Sequence, residues 1–435
     1  MSAISLTGAA RPNAFVRLRD WFRSDRSARF RGPQGVSASY ALSRLILLLI
    51  PFGLVPYKSG TYIPSDVKLY ASWSEVISAG HFPVNDPMWQ YPPLAGMVFW
   101  LGAHLTSNPV LGFIVLALLV DLAIFAVLLR TGRKVGKLDG AWTYVIGGLL
   151  IGPVLLTRFD LFPTLFAVLA LLALAKPVRS GIWMGIGALL KVWPALMVVA
   201  LPRRSLAKGT AALIATGVAG MAVLTSYGFG AFSFLKEQGD RGLQIESVGG
   251  VFFVIGHLLG VNTTTSFRYG SMEIAATGAG AVASIVTVGG FVAMGSIVYL
   301  RLRGRLESVS GADVALTMIL ISIASSRVFS PQYMIWVIGI GAVCMMDSKT
   351  RMRTVVYLCI ATAGVAQLVY PISYGNMVDG GWYGTLFQVI RIGLLMTATV
   401  WAYVRILKPA PAEPVLRGLI PWRRAASSPS TAELS

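Results

Sequence analysis

Apolar segments separated by short polar ones make up most of the 435-residue chain. These runs are too numerous and too long for a globular core, and a helix of about 20 apolar residues can cross a bilayer. The pattern therefore predicts an all-α, polytopic integral membrane protein with about 10–12 transmembrane helices. The expected crossings lie at about 38–57, 110–130, 141–156, 161–175, 207–227, 277–300, 312–324, 333–346, 354–371 and 385–404.

The first long polar interruption follows the first apolar run and has Asp66 as its first carboxylate. Apolar positions then recur at near-helical spacing, with polar positions opposite them. The apolar positions are Val67, Leu69, Tyr70, Trp73, Val76 and Ile77, and the polar ones are Lys68, Ser72, Ser74 and Glu75. The pattern predicts a helix in the plane of the membrane interface with its aromatic rings at headgroup level. The turn Tyr91-Pro92-Pro93-Leu94 then leads to a second predicted juxtamembrane helix, 95–105, too short to cross the bilayer.

The segment 181–201 has basic residues at both ends, which a single crossing does not explain. It carries Lys191 and Pro194 near its middle, so we predict two short helices that enter and leave on the cytoplasmic side, with Lys191 at the tip. An alternative has full crossings at 95–105 and 181–201. It keeps the same orientation of the chain ends but places the basic loops 130–137 and 176–179 outside.

The chain is 55% hydrophobic and 13% charged, with a net charge of +19. Most lysines and arginines crowd the N-terminal segment, short loops and the C-terminal segment, which follows the positive-inside rule and argues against nucleic acid as a partner. We expect a plasma-membrane protein with both termini cytoplasmic. The predicted parts are a basic cytoplasmic tail (1–37) rather than a cleavable signal peptide, a membrane domain (38–404) and a disordered cytoplasmic tail (405–435). The predicted outer loops are 58–109 and 228–275.

On this path, ionisable residues at the ends of membrane segments converge on the outer face. Such residues are costly there and are retained for a partner or a function. The outer turns hold Asp66, Arg158, Asp160, Arg241, Glu246 and Arg327, and Lys191 approaches from the membrane side.

Structural alternatives exist for each of them. Asp66 would cap the helix that follows it, and Lys191 would snorkel toward water. Arg158 and Asp160 would form an ion pair within their turn, and the loop 239–247 would be held by its own salt bridges.

Other polar residues point to structural roles. Arg327 has the alternative of anchoring at the interface, and Asp121 is expected to be an internal hydrogen-bond partner. The free thiols Cys344 and Cys359 fall inside apolar runs and are expected to be buried and inert. No two of the three histidines have metal-ligand spacing, so no metal site is predicted.

An outward-facing carboxylate with several cations suits a substrate that carries a lipid-linked phosphate. The cations would hold the phosphate and stabilise it as it leaves, and the carboxylate would take a proton from an incoming hydroxyl. The sequence has no Walker motif and no dinucleotide fingerprint, so a nucleotide donor is not expected.

Six segments in order give the chain a family resemblance. They are Asp66 in the first outer loop, YPPL (91–94), RFD (158–160), GIGALLKVWPAL (185–196), DRGLQIES (240–247) and SPQYMIW (330–336). From about 40 to 400 the chain resembles glycosyltransferase family 87, actinobacterial membrane enzymes of the GT-C type. The resemblance implies a GT-C bundle, a polyprenyl-phosphate-sugar donor, Asp66 as the base, inversion at the anomeric carbon and no cofactor.

Site roles follow from position and charge. Lys191, Arg158, Arg241 and Arg327 are expected to bind the donor phosphate or lipid, and Asp160, Glu246, Gln332, Tyr333 and Tyr91 to position the substrates.

The leading hypothesis is transfer of mannose to a hydroxyl of a glycolipid or lipoglycan on the extracytoplasmic face. Membrane lipids are expected to surround the protein as further partners. An arabinofuranosyltransferase is the alternative within the class. A lipid-linked sugar flippase or transporter would also show broken hydrophobic segments and an embedded lysine, but the expected internal repeats are not found. A non-catalytic scaffold of cell-wall assembly would leave Asp66 dispensable.

Overall fold

A computed structural model describes residues 32–54, 63–84, 86–228, 230–239 and 241–408. Most of the two predicted tails lies outside the described residues. The first half of the chain contains the helices α1 (Pro33–Leu49), α2 (Ser65–Ser78), α3 (Pro93–His104), α4 (Pro109–Val135), α5 (Asp139–Ile151), α6 (Val154–Thr157), α7 (Leu161–Leu172), α8 (Pro177–Leu190), a 3-10 helix (Trp193–Ala200) and α9 (Arg203–Tyr227). The second half contains α10 (Phe234–Gly239), α11 (Gly250–Leu258), β1 (Thr264–Arg268), β2 (Ser271–Ala275), α12 (Ala279–Leu302), α13 (Gly311–Ala324), α14 (Tyr333–Met346), α15 (Arg353–Gln367), a π-helical turn (Leu368–Ile372), α16 (Tyr374–Val378) and α17 (Trp382–Leu407).

Five helical segments in the described part of the chain are long and apolar enough to cross a membrane: α4, α9, α12, α15 with the turn that follows it, and α17. The helices α7, α13 and α14 are apolar but shorter. The predicted all-α, polytopic membrane fold is confirmed. The number of crossings remains a prediction, because several expected spans form helices of only 12–14 residues.

The helix α14 forms the centre of the bundle, and every residue from Met334 to Met346 is buried. A helix that is apolar on all sides is expected either inside a large core or in lipid, and its neighbours decide which. By contrast, only 11% of the apolar stretch of α9 and 17% of that of α12 are buried within the protein. These two helices therefore lie at the periphery.

The helices α8 and α9 approach closely through small residues. A Cβ atom added at Gly181 would lie 2.2 Å from the carbonyl oxygen of Gly209, and one at Gly185 would lie 2.7 Å from Cβ of Thr216. Small residues four positions apart thus allow the two helix backbones to approach closely.

The helix predicted after Asp66 is present as α2, but the predicted position of its aromatic rings is wrong. Tyr70 and Trp73 are each 2% exposed and face the protein, not the headgroups. Tyr70 stacks on Phe99 of α3 with ring centroids 4.2 Å apart, and Trp73 meets Trp89 edge-on at 5.2 Å. Burial against α3 and the loop before it removes more apolar area from water than an interfacial position would.

Ser74 shows a second departure from the predicted pattern of α2. It was assigned to the polar face but is buried, at 3% exposure. Its hydroxyl donates to the carbonyl oxygen of Ala71 at 2.7 Å, so the buried group is satisfied locally.

The second predicted outer loop, 228–275, contains a β-hairpin that the purely helical prediction missed. Strands β1 and β2 pair antiparallel, with Arg268 opposite Ser271. Tyr269 and Gly270 between them both have positive φ, 50° and 76°, as a two-residue type I′ turn requires. The signal was present in the β-branched run Thr263-Thr264-Thr265 followed by a turn glycine.

The segment 181–201 is interrupted at Lys191, as predicted. The helix α8 ends at Leu190, Lys191 is extended (φ −158°, ψ 132°), and a 3-10 helix follows from Trp193. The break places Lys191 between two short helices, at a position where the backbone is extended and not helical.

Candidate active site

Asp66 and Arg158 form the first charged pair of the site. Asp66 lies in the first turn of α2, where the helix dipole favours a negative charge. Its Oδ2 atom lies 2.9 Å from Nε of Arg158. The aspartate side chain is 33% exposed and the arginine side chain 5%. The carboxylate is therefore the member of the pair that faces solvent.

Arg158 keeps its charge in this buried position. Burial alone would lower its pKa, but the Asp66 carboxylate together with the hydroxyls of Tyr370, Tyr70 and Tyr91 more than offsets that effect, and the pKa of Arg158 is raised. The backbone at Arg158 is extended and links α6 to α7.

Asp160 and Lys191 form the second pair. Oδ1 of Asp160 lies 2.7 Å from Nζ of Lys191 and accepts a hydrogen bond from Nε1 of Trp336 at 2.6 Å. Nζ of Lys191 also lies 5.7, 5.2 and 4.8 Å from the ring centroids of Tyr91, Tyr333 and Trp336. Cation–π attraction and the carboxylate together stabilise a lysine that is mostly buried. Because Arg158 and Asp160 each bind another residue, the alternative of an ion pair within their turn is wrong.

Tyr91 lies between the two pairs. Its hydroxyl lies 3.4 Å from that of Tyr70 in α2, and its ring meets Phe159 edge-on at 5.5 Å. Burial raises the pKa of Tyr91 to about 12, against an opposing effect of Lys191. The phenol therefore stays neutral and can donate a hydrogen bond at neutral pH.

Arg241 and Arg327 occupy adjoining loops. Nη1 of Arg327 donates to the carbonyl oxygen of Arg241 at 2.9 Å. Arg241 donates to Oε1 of Gln90 at 2.8 Å and to Oγ of Ser271 at 2.9 Å, which ties the segment between α2 and α3 to the hairpin. Nε of Arg241 lies 3.8 Å from Oε1 of Glu273, too far for a hydrogen bond. Burial raises the pKa of Glu273 despite Arg241.

A cavity of about 270 Å³ lies between these arginines and the helices α12 and α13. Its lining residues are Arg241, Thr287, Phe291, Met294, Ser322, Ser325, Ser326, Arg327, Val328 and Tyr333. The lining thus combines two guanidinium groups, several hydroxyls and apolar side chains of α12, a candidate membrane span at the edge of the bundle. Tyr333 belongs both to this lining and to the rings around Lys191, so the cavity adjoins the second charged pair.

Glu246 is buried at 3% exposure and uses both carboxylate oxygens within the protein. Oε1 accepts from Nη1 of Arg391 at 2.8 Å, and Oε2 accepts from Nε2 of Gln244 at 2.9 Å. Burial raises the pKa of Glu246, and Arg391 opposes that effect. The expected self-contained salt bridges of the loop are wrong for Glu246, because its partner lies in α17. Gln332, the other predicted positioning residue of this region, is half-buried and precedes α14.

The family model of glycosyltransferase family 87 matches residues 89–331. The chain belongs to glycosyltransferase family 87. Searches of curated proteins and of solved structures found no match. The family resemblance of the sequence is thereby confirmed, and the protein is a membrane glycosyltransferase. The region matched by family 87 contains Tyr91, both members of the second charged pair, Arg158 and the two cavity arginines, whereas Asp66 precedes it.

Two buried arginines of this family 87 protein were missed in the sequence. Arg391 lies in α17 and is fully buried, and Arg44 lies in α1 and is 3% exposed. Each is a lone charge inside an apolar run, which was the available signal. Their partners lie far away in sequence, so the signal marks a need for a partner without identifying it.

Asp121 is an internal hydrogen-bond partner, as predicted. Its carboxylate accepts from Arg44 at 2.8 and 3.0 Å, and from the hydroxyls of Tyr40 and Tyr144 at 2.6 Å each. With both oxygens engaged by α1, α4 and α5, this carboxylate stabilises helix packing. Cys344 and Cys359 are buried free thiols, as expected.

Among the described residues, no group of three or more His, Cys, Asp or Glu side chains is arranged to hold a metal ion.

Proposed function

We propose that this family 87 enzyme transfers mannose from a polyprenyl-phosphate donor to a hydroxyl of a glycolipid or lipoglycan. The reaction would take place on the extracytoplasmic face of the plasma membrane, with both chain termini cytoplasmic. The observation that carries the proposal is the cavity beside Lys191, which combines Arg241 and Arg327 with apolar side chains of α12. A lipid-linked phosphate has the same combination of an anion and a hydrocarbon chain.

The donor phosphate would lie against Arg327 and Arg241, within reach of Lys191. Guanidinium groups suit a phosphate because their planar N–H donors match its oxygens. The cations would stabilise the negative charge that grows on the phosphate as the sugar leaves. Phe291 and Met294 would contact the start of the polyprenyl chain.

Asp66 would act as the general base. Its Oδ2 is held by Arg158, whereas among the described residues Oδ1 has only a long contact of 3.3 Å with Oγ of Ser65. The acceptor hydroxyl would give its proton to Asp66 while its oxygen attacks the anomeric carbon of the sugar. The bond from that carbon to the phosphate oxygen breaks, polyprenyl phosphate leaves, and the configuration inverts.

The remaining predicted positioning residues would act in two ways. Tyr91, Tyr333 and Gln332 are placed to contact the sugar-phosphate near Lys191. Asp160 and Glu246 would act indirectly, because Asp160 holds Lys191 and Glu246 holds its loop against α17.

The first test is transfer of radiolabelled mannose by purified protein in lipid nanodiscs, with polyprenyl-phosphate-mannose and a membrane extract as acceptor. We expect Asp66→Asn to lower kcat by about 10²- to 10⁴-fold and to leave donor binding intact, because it removes the base and keeps the shape. Asp139→Asn is the matched control, since Asp139 is half-exposed in a long surface pair with Arg353.

Two outcomes contradict the proposal in different ways. If Asp66→Asn transfers mannose as fast as the wild type, Asp66 is not the base. If the wild type transfers no mannose, the same pair is assayed with a polyprenyl-phosphate-arabinofuranose donor, and transfer there changes the sugar. Absence of transfer from both donors rules out the proposed donor class.

A further inference from the structure

We propose that Arg158 is a positioning residue for Asp66 and not a ligand of the donor phosphate. The inference rests on the proposed function, in which Asp66 is the base. It replaces the role expected for Arg158 from the sequence and narrows the phosphate-binding set to Lys191, Arg241 and Arg327.

Arg158 makes polar contacts with four of the described residues, one an ion pair and three through hydrogen bonds. Nε faces Oδ2 of Asp66 at 2.9 Å. Nη1 donates to the carbonyl oxygens of Ile63 and Thr157 at 2.8 and 3.0 Å, and Nη2 donates to the hydroxyl of Tyr370 at 3.3 Å. Each of the three nitrogens therefore has a protein partner, and these contacts engage four of the five N–H donors of the guanidinium, so a phosphate could make at most one hydrogen bond here without displacing a partner.

Burial supports the same role. The Arg158 side chain is 5% exposed, and Ile63 and Thr157 beside it are completely buried. A phosphate would need a path to the guanidinium, whereas the exposed part of this pair is the Asp66 carboxylate. Arg158 is also not among the residues that line the cavity, in contrast to Arg241 and Arg327.

The arginine fixes the carboxylate from two directions. It binds Oδ2 of Asp66 directly, and through the Ile63 carbonyl it holds the backbone just before α2 begins. Tyr370, in the turn after α15, fixes the opposite edge of the guanidinium. Asp66 is thereby oriented with Oδ2 occupied, while Oδ1, whose one contact within the described part of the chain is the 3.3 Å approach of Ser65 Oγ, is left to the acceptor hydroxyl. A planar fork of donors can do this, and the single ammonium group of a lysine cannot.

The test compares Arg158→Lys with Arg327→Gln and measures kcat and the donor Kd separately. We expect Arg158→Lys to lower kcat by about 10- to 100-fold, since a small misplacement of a reacting group has effects of that size. The donor Kd should stay within about twofold of the wild-type value. Arg327→Gln should instead raise the donor Kd roughly tenfold or more, because it removes a charged hydrogen-bond donor from the cavity.

A double variant tests whether Arg158 acts through Asp66. Adding Arg158→Lys to Asp66→Asn should cause no further loss of kcat, because a positioning residue has no effect once the group it positions is disabled. A residue that binds phosphate independently would lower the rate further in the same background.

Tyr370→Phe is a second, milder test of the same role, for the case in which Arg158→Lys fails to fold. It removes one hydrogen bond to Nη2 and no charge, and we expect a severalfold fall in kcat with the donor Kd unchanged.

The outcomes separate this inference from the proposed function. If the wild type transfers sugar but Arg158→Lys raises the donor Kd as Arg327→Gln does, or the double variant is slower than Asp66→Asn, Arg158 binds phosphate and the inference is wrong. An unchanged kcat in both Arg158→Lys and Tyr370→Phe also overturns it. If the wild type transfers from no polyprenyl-phosphate donor, the proposed function itself fails and this inference falls with it.

Discussion

At the scale of single residues, the two carboxylate oxygens of Asp160 have different environments. Its Oδ1 atom accepts hydrogen bonds from Lys191 and Trp336, whereas Oδ2 is buried without a hydrogen-bond partner among the described residues. The residue is completely buried. A carboxylate in this position depends strongly on its one cation, because an unpaired buried charge costs far more free energy than the pair contributes.

We therefore expect Lys191→Met to destabilise the protein by about 3–5 kcal/mol. The double variant Lys191→Met with Asp160→Asn should recover most of that free energy of unfolding, since the asparagine removes the charge and keeps an oxygen for Trp336. Thermal unfolding in detergent measures the stability of both variants. The double variant recovers stability but lacks the lysine. If Lys191 contacts the phosphate, the double variant should therefore still bind the donor more weakly than the wild type does. If the single and double variants were equally stable, the unpaired charge on Asp160 would not be the cause of the lost free energy of unfolding.

The sequence identifies the charged residues of the site better than it identifies the partner of each. Asp66, Asp160 and Lys191 stood out because charge is rare at the ends of apolar segments. Their partners come from distant segments, and the local pattern offered only the nearby Asp160 as a partner for Arg158, whereas the structure pairs Arg158 with the distant Asp66. Arg391 and Arg44 show the same limit, since burial of their charges is decided by helices that pack against them.

At the scale of helices, the contact between α8 and α9 depends on the absence of side chains. The atom nearest to a Cβ at Gly181 is a backbone oxygen, which cannot rotate away. By contrast, a Cβ at Gly217 in α9 would meet nothing within 4 Å.

We expect Gly181→Ala to destabilise the protein by about 1–3 kcal/mol, because the two helices must separate to admit the methyl group. Gly217→Ala is the matched control and should be neutral or stabilising by up to about 1 kcal/mol, since alanine is the better helix former. Thermal unfolding of both variants in the same detergent compares them. A destabilised Gly217→Ala with an unaffected Gly181→Ala would contradict this account of the helix contact.

Helix positions followed from the sequence better than helix faces did. The spacing after Asp66 predicted α2, and the break at Lys191 followed from a charge and a proline within one apolar run. The direction of Tyr70 and Trp73 did not follow, because a membrane interface and a protein core both bury aromatic rings. The hairpin of β1 and β2 was missed because the surrounding helical composition dominated the interpretation of a short segment.

At the scale of the whole molecule, the orientation of the bundle in the membrane decides which side of the bilayer the site faces. Apolar segments suffice to predict a polytopic helical protein, because any such segment must be buried in lipid or in protein. Which helices pack at the centre does not follow from hydropathy. The central helix α14 and the peripheral helix α12 are both strongly apolar, yet they have opposite environments.

Single cysteines and an impermeant maleimide test the predicted orientation in intact cells. We expect Ser72→Cys in α2 to be labelled from outside, and Lys134→Cys at the end of α4 to be labelled only after the membrane is permeabilised. Both positions are exposed on the protein surface. The native Cys344 and Cys359 are buried and should contribute little background. Labelling of Lys134→Cys in intact cells would favour the alternative with full crossings at 95–105 and 181–201.

The peripheral position of α12 has a consequence for how the enzyme responds to its surroundings. This helix forms one wall of the cavity, yet only 17% of its apolar stretch is buried within the described protein. In a cell, acyl chains cover the rest of that stretch. We therefore expect the thickness and fluidity of the bilayer to affect the width of the cavity, and a detergent micelle is a different solvent for that wall. Rates measured in micelles and in bilayers should differ most for steps in which the donor enters or leaves.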